Sequence, residues 1–418
     1  MKASKTSLGL GCVVSLIAMA VLLTAIYATA QTEKFLHSFS NNGKDGTVPA
    51  SPLIFDASGN LYGSTYYGGP SKVGTVYELS PRTGGGWSER VLHNFQHNGQ
   101  DGNSPEGTLT FDASGNLYGT TNLGGTYKQG TVFELSPKSG GGWTEKVLYN
   151  FGPYSTDGVI PNGGVTFDTA GNLYGTTLGG GNAPAGTVFE LSPTSSGNWT
   201  ETILFNFDNT NGGNPEAGVI FDSAGNLYGT TSGGGASFYG TVFELSPSAG
   251  SWVETILYNF NNDGGPNDPT AALIMDSAGN LYGTAVWGAE FGDGAVFELS
   301  PSGGSWTETI LHAFNYKDNL DGINPRAGLI LDAAGNLYGT TDLGGSGSCP
   351  NSGGQGCGTV FKLTPSGSSW IETILHRFGN GTDGQQAGAS LTFDASGNLY
   401  GTAGGGAYGE GVVFEITP

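Results

Sequence analysis

Short apolar runs alternate along this chain with clusters of Gly, Asn, Asp, Ser and Pro. Past the N-terminus no window sustains the 3.6-residue apolar period of a helix. One unit recurs in seven copies: D-x-x-G-N-L-Y-G-[ST], then G-[TAV]-V-[FY]-[EK]-[LI]-[ST]-P, then W-x-E-x-[VI]-L-x-x-F. Its Asp falls at Asp56, Asp112, Asp168, Asp222, Asp276, Asp332 and Asp394, a period of 54 to 62 residues. Within the second copy four runs read as strands: Leu109 to Phe111, Leu117 to Thr121, Thr131 to Leu135, and Trp143 to Phe151. They are rich in β-branched and aromatic residues and bounded by turn formers. A repeat of this length with four strands is one blade of a propeller rather than a helical solenoid unit. The pattern predicts an all-β chain.

The ends of the chain predict how the array closes. Residues 32–39 (TEKFLHSF) copy the fourth strand without the first three, and 411–418 copy the third strand without a fourth. The strand missing at one end is the surplus strand at the other. An open array would instead leave unpaired edges and atypical terminal repeats. The expectation is a seven-bladed β-propeller of four-stranded blades, a single domain over 31–418. Residues 31–39 act as a latch pairing with 411–418.

Residues 1–30 read as a signal peptide. Lys2 and Lys5 are its charged start, Leu8 to Ile26 its apolar stretch, and Ala28-Thr29-Ala30 its cleavage site. Retention of that stretch as an anchor is the competing reading. Cleavage after Ala30 predicts a secreted or extracytoplasmic protein without membrane attachment. Cys349 and Cys357 are then the two remaining cysteines, eight positions apart in one loop, and an exported chain predicts a disulfide between them. Removing Lys2 and Lys5 from the 14 basic residues leaves 12 against 35 acids, a formal charge of −23. That surface excludes nucleic acid, whose phosphates need basic partners. It disfavours anionic lipid too. Twenty of the acids are repeat positions, so the charge describes the cassette before it describes a ligand.

Residues that recur in every copy read first as architecture. Asp-x-x-Gly-Asn is a turn in which the carboxylate accepts backbone N–H groups and Gly supplies a positive φ. One carboxylate per turn is too few for calcium. Trp87, Trp143, Trp199, Trp252, Trp306 and Trp370 share one position, which predicts packing between blades rather than a sugar platform. His37, His93, His312 and His376 also share a position, where other copies have Tyr149, Phe205 and Tyr258. Interchange with Phe predicts a flat packing ring and neither a catalytic nor a metal set. His97 stands alone in a loop. No nucleophile elbow, zinc-protease helix, phosphate loop or dinucleotide fingerprint is present. No cofactor and no metal are predicted.

The variable positions carry the functional expectation. The loop between second and third strands keeps its length in five copies while its side chains change. It offers Tyr66, Tyr67, Tyr127, Tyr239, Trp287, Glu290, Phe291, Asp293, Tyr408 and Glu410 as candidate ligand-binding residues. Trp287 is the one Trp outside the repeated position, and an exposed Trp beside acids suits stacking on a sugar ring. The blade-to-blade loops, with a looser Asp-Gly-x-x-Pro theme at Asp45, Asp101, Asp157 and Asp321, belong on the same face. Loops on a rigid scaffold are where binding residues concentrate.

At these motifs the chain resembles the bacterial GloVer tandem-repeat proteins, over essentially all of 31–418. The resemblance implies a β-propeller-type exported protein at the cell surface or beyond it and implies no particular chemistry. Members often carry a C-terminal anchoring segment, and this chain ends on a blade strand, which favours release. Three functions follow as expectations. The first is a binding module for an extracellular glycan, another polymer or a protein. The second is a polysaccharide hydrolase or lyase with carboxylates near the channel mouth, drawn from Glu290, Asp293 or Glu410. The third is a structural matrix protein.

Overall fold

A computed structural model describes residues 32–152, 156–317, 320–347, 349, 353–379 and 382–418; the expected signal segment lies outside them. Among the described residues there is no helix, and seven four-stranded antiparallel blades form a ring. Blade 2 is typical: Thr110–Phe111, Leu117–Thr121, Thr131–Pro137 and Trp143–Asn150 pair in sequence order. The seventh blade is composite. Thr32–Ser38 pairs antiparallel with Val412–Thr417 in a register that sets Lys34 opposite Glu415 and Phe35 opposite Phe414. The Lys34 ammonium lies 3.0 Å from the Glu415 carboxylate, and the Phe39 amide donates to the Gly411 carbonyl. The ring is closed by the latch that the two truncated ends predict.

Each hairpin turn is held by its Asp. In the first, Asp56 Oδ1 accepts the amides of Ser58 and Asn60, and Oδ2 accepts the Asn60 side-chain amide and the Tyr62 hydroxyl. Partial burial alone would raise the Asp56 pKa. The bonds from Asn60, Ser58 and Tyr62 outweigh it and hold the carboxylate below its usual range.

Aromatic contacts join the blades. The Phe that ends each fourth strand is buried and meets the third-strand ring of the next blade edge-on: Phe95 against Phe133, Phe207 against Phe243, Phe378 against Phe414. At the seam Phe39 meets Tyr77 with centroids 5.1 Å apart. The repeated Trp packs against the second-strand Tyr of the preceding blade, as Trp143 does on Tyr62 and Trp87 on Tyr400. The repeated tryptophans are blade-to-blade packing, as their fixed position predicts. Cys349 and Cys357 form a disulfide across the long loop of the sixth blade.

One feature of the inner strand was not expected. In the first blade it is split: Ile54–Phe55 pairs with the start of the second strand, and Gly46–Pro49 pairs with its end. The other blades repeat this as small separate ladders, such as Gly102–Asn103 with Leu123–Gly124. These ladders pair the blade-to-blade loop with the second-to-third-strand loop, which puts both on one face. The split coincides with a left-handed residue eight positions before every hairpin Asp: Val48, Ser104, Ile160, Asn214, Asp268, Asn324 and Gln386, with φ between 53° and 60°. None is glycine. The kink turns the following residues toward the ring axis.

Candidate functional site: the channel mouth

The residues after the kink build the wall of the axial channel. All seven blades contribute to a cavity of about 480 Å³ there. Five positions before the hairpin Asp the wall is small: Ser51, Gly107, Gly163, Ala217, Ala271, Ala327 and Ala389. Close approach explains this, because a Cβ on Gly163 would sit 2.2 Å from the Gly218 amide nitrogen. Second-strand hydroxyls bond across to these carbonyls, Thr120 to Gly163 at 2.8 Å and Thr176 to Ala217 at 2.7 Å.

One position earlier, the side chains change from each blade to the next. They run Ala50, Glu106, Asn162, Glu216, Thr270, Arg326, Gly388, and all seven residues line the cavity. Five consecutive blades therefore carry a polar group, and the two beside the seam carry none. Second-strand ends add to this crescent. The Asn122 amide donates to Glu106 Oε2 at 2.7 Å and to Asn162 Oδ1 at 2.8 Å, while Asn162 donates to the Glu216 carbonyl. Both neighbours of the Asn122 NH₂ are acceptors, which fixes the amide's orientation. On the far side the Arg326 Nε lies 3.2 Å from Asp342 Oδ2.

Burial pushes Glu106 up from its ordinary carboxylate value, with Asn122 donating against the shift. Glu216 is raised by burial too, opposed by a Ser232 hydrogen bond. Asp268 and Asp342 are raised by burial while the Arg326 charge pulls both down. The mouth thus combines carboxyls of high proton affinity, two amides and one guanidinium.

The expected loop residues are distributed differently. Tyr66 stands at this mouth, its hydroxyl pKa raised by burial with Ser104 and Asn122 hydrogen-bonded to it. Tyr67 contacts it edge-on at 4.6 Å, the one ring-to-ring contact within the predicted set among the described residues. Trp287 is 45% exposed and lies on the small ladder opposite Asn267, at the position that Tyr67 and Leu123 occupy in their blades. Tyr127, Tyr239, Phe291 and Tyr408 are exposed, each on the loop of its own blade. Glu290 is exposed, and Asp293 accepts the Tyr316 amide at 2.8 Å. Glu410 gives its backbone carbonyl to the Val48 amide. None of Glu290, Asp293 and Glu410 lines the axial cavity. Glu106, Glu216, Asp268, Arg326 and Asp342 escaped the reading of the sequence. The signal was there: six positions before the hairpin Asp, the seven copies carry six different residues, Glu alone recurring.

The Gloeobacter/Verrucomicrobia repeat family matches residues 23–218 and 169–354, and the chain belongs to that family. No curated protein is detectably similar in sequence. Among solved structures, a polysaccharide lyase of family PL25, an ulvan lyase bound to a GlcA-Rha3S saccharide, is 11% identical with a TM-score of 0.50. That match covers 90% of this chain and 95% of the lyase. A Bacteroides fragilis protein provisionally described as a 6-phosphogluconolactonase is 17% identical with a TM-score of 0.48, over 79% of this chain and 85% of that one. At these identities the likeness is one of fold.

Proposed function

We propose that the chain is a glycan-binding propeller that takes a hydroxyl-rich saccharide unit in the channel mouth. The observation that carries this reading is the one-sided polar crescent of Glu106, Asn162, Glu216, Thr270 and Arg326 on the cavity wall. Carboxyls, amides and a planar guanidinium are the groups that recognise hydroxyl pairs. A cavity of about 480 Å³ is of the size that holds one small ligand. Tyr66, Tyr67 and Trp287 would flank the mouth as rings for further sugar units of a longer chain. The Cys349–Cys357 disulfide is consistent with an oxidising, extracytoplasmic compartment where such polymers occur.

The second reading, a polysaccharide hydrolase or lyase, draws on Glu106 and Glu216. Their burial favours the protonated form, as a general acid requires. A glycan array on the purified full chain, with each hit assayed for chain cleavage, separates the two. Arg326→Ala and Glu216→Gln should weaken binding at least tenfold without loss of folding. Unchanged binding in both variants, with loss in Trp287→Ala alone, would move the site to the outer loops. Release of new chain ends that Glu216→Gln abolishes would make the protein an enzyme.

A further inference from the structure

Four blade boundaries bring together a histidine, an aspartate and a glutamate from three separate segments. The sets are His312, Asp321 and Glu372; His376, Asp383 and Glu33; His37, Asp45 and Glu89; His93, Asp101 and Glu145. In each the His comes from a fourth strand, the Asp from the loop that follows, and the Glu from the fourth strand of the next blade. One ligand atom from each residue lies within 4.8 Å of the others. His93 Nε2 is 3.2 Å from Asp101 Oδ2. His376 Nε2 is 3.2 Å from Asp383 Oδ2 and 3.3 Å from Glu33 Oε1. His312 Nε2 is 3.5 Å from Asp321 and 3.6 Å from Glu372.

Hydrogen bonding accounts for these clusters poorly. An imidazole Nε2 carries at most one hydrogen, which can point at one oxygen. At His376 two acceptors compete for it, and Glu33 Oε1 stays without a partner. His37 Nε2 and His312 Nε2 are buried, each with an Asp oxygen at 3.5 Å, the outer limit of a hydrogen bond. Asp45, Asp101 and Asp321 are 7%, 6% and 9% exposed, and each keeps a buried carboxylate oxygen with no donor. The other carboxylate oxygen of each Asp is fixed by a backbone amide, from Ser40, Gln96 and Asn315 respectively. Such second bonds orient a metal ligand. Metal–ligand distances of about 2.0–2.1 Å place neighbouring ligands of a tetrahedral ion about 3.3 Å apart, close to the spacings found here. Once the glutamate releases its proton, a neutral imidazole and two carboxylates carry two negative charges, which a divalent cation cancels.

The remaining three boundaries lack a histidine, although Asp157 Oδ1, Glu201 Oε1, Glu254 Oε1 and Glu308 Oε1 are likewise buried without a partner. The Tyr149 hydroxyl lies 3.2 Å from Asp157 Oδ2 and 2.9 Å from Glu201 Oε2, and its one hydrogen serves one of them at a time. Tyr258 hydrogen-bonds Glu308, and Phe205 offers no ligand. The four histidine boundaries are consecutive and centred on the composite blade. The latch strand Thr32–Ser38 supplies Glu33 to one set and His37 to the next.

We propose that each of these four boundaries binds one divalent transition-metal ion of the zinc type through His Nε2, Asp and Glu, and that the two ions flanking the latch lock the ring shut. Three protein ligands leave a fourth position for water. The test is equilibrium dialysis of the full chain, stripped with chelator, against Zn²⁺, with Co²⁺ as a spectroscopic probe. The expected result is four saturable sites and tetrahedral Co²⁺ absorption. His93→Phe and His376→Phe each reduce the count to three, and Zn²⁺ raises the Tm of the parent. Phe already serves at position 205, so the fold has a precedent for both variants. If either is insoluble, the Tyr of position 149 is the alternative replacement. Absence of saturable binding would overturn the proposal. So would a count that the His substitutions leave unchanged, since ions on the acidic surface would be indifferent to them.

Discussion

Single residues in this ring show where sequence identity yields to geometry. Val48 is 44% exposed and β-branched, yet it holds φ at 57°. For such a residue the left-handed region costs about 1–2 kcal/mol. Glycine would remove that cost, but it would also remove a side chain from the channel mouth. At Val48 and Gln386, which line the cavity, a retained side chain fits a position kept for what it presents. Val48→Gly is expected to keep or raise stability, by about 0.5–1 kcal/mol once the flexibility of Gly is counted. Urea unfolding checks it, and a loss above about 1 kcal/mol would mean that the side chain is packed rather than presented. The same lesson applies to the histidines. Read along the chain, His93 is equivalent to Phe205 and belongs to packing; its edge-on contact with Phe95 bears that out. Its meeting with Asp101 and with Glu145 of the next blade could not be read, because the copies do not state which face of the fourth strand meets the neighbour.

Among the elements, the latch strand is the one whose removal reaches furthest. Phe39, just past its end, is fully buried and packs on Tyr77 of the first blade, while Phe35 is 39% exposed. Phe39→Ala should cost about 3–5 kcal/mol as a large-to-small change in a closed core. Phe35→Ala should cost well under half of that. Equal losses, measured by thermal or urea unfolding, would contradict a latch that works through its buried side. The blades themselves were legible because each run of the cassette is short, apolar and bounded by its own turn, and because the two truncated ends complement each other. The inner strand was not. Its first half lies in a Gly- and Pro-rich stretch that reads as a loop, and the residue that splits it changes from Val48 to Ser104 to Ile160. No glycine marks the positive φ, so the channel-lining register was hidden. The second-to-third-strand loops, by contrast, show their fixed length and changing rings in the chain itself.

For the whole molecule, the blade boundaries predict an unusual dependence on pH. The fourth-strand Glu is present at all seven boundaries, including those without histidine. At the Tyr149 boundary burial, followed by the charge of Asp157, pushes Glu201 up to about 8, against a hydrogen bond from Tyr149. At the Phe205 boundary burial, with Asp208 adding to it, pushes Glu254 up to about 7. The unfolded chain releases these protons near 4.5, whereas the folded ring keeps them. Between about 4.5 and about 8 the folded state therefore binds more protons, and stability falls as pH rises through that window. The turn carboxylates, such as Asp168, act in the opposite sense. Burial alone would raise the Asp168 pKa, but bonds from Asn172, Ala170 and Tyr174 hold it below 3.8, so its contribution is lost only as pH falls through the acid range. In chelator, then, the Tm of the full chain should peak at mildly acidic pH and decline toward pH 8.5. Glu201→Gln cannot ionise and still fits beside Tyr149, so it should flatten part of that decline while leaving the acid limb unchanged. A Tm that is level from pH 5 to 8.5 in the parent, or a slope that Glu201→Gln does not alter, would show that these carboxyls are ionised in the ring and that the boundaries are held by charge pairing.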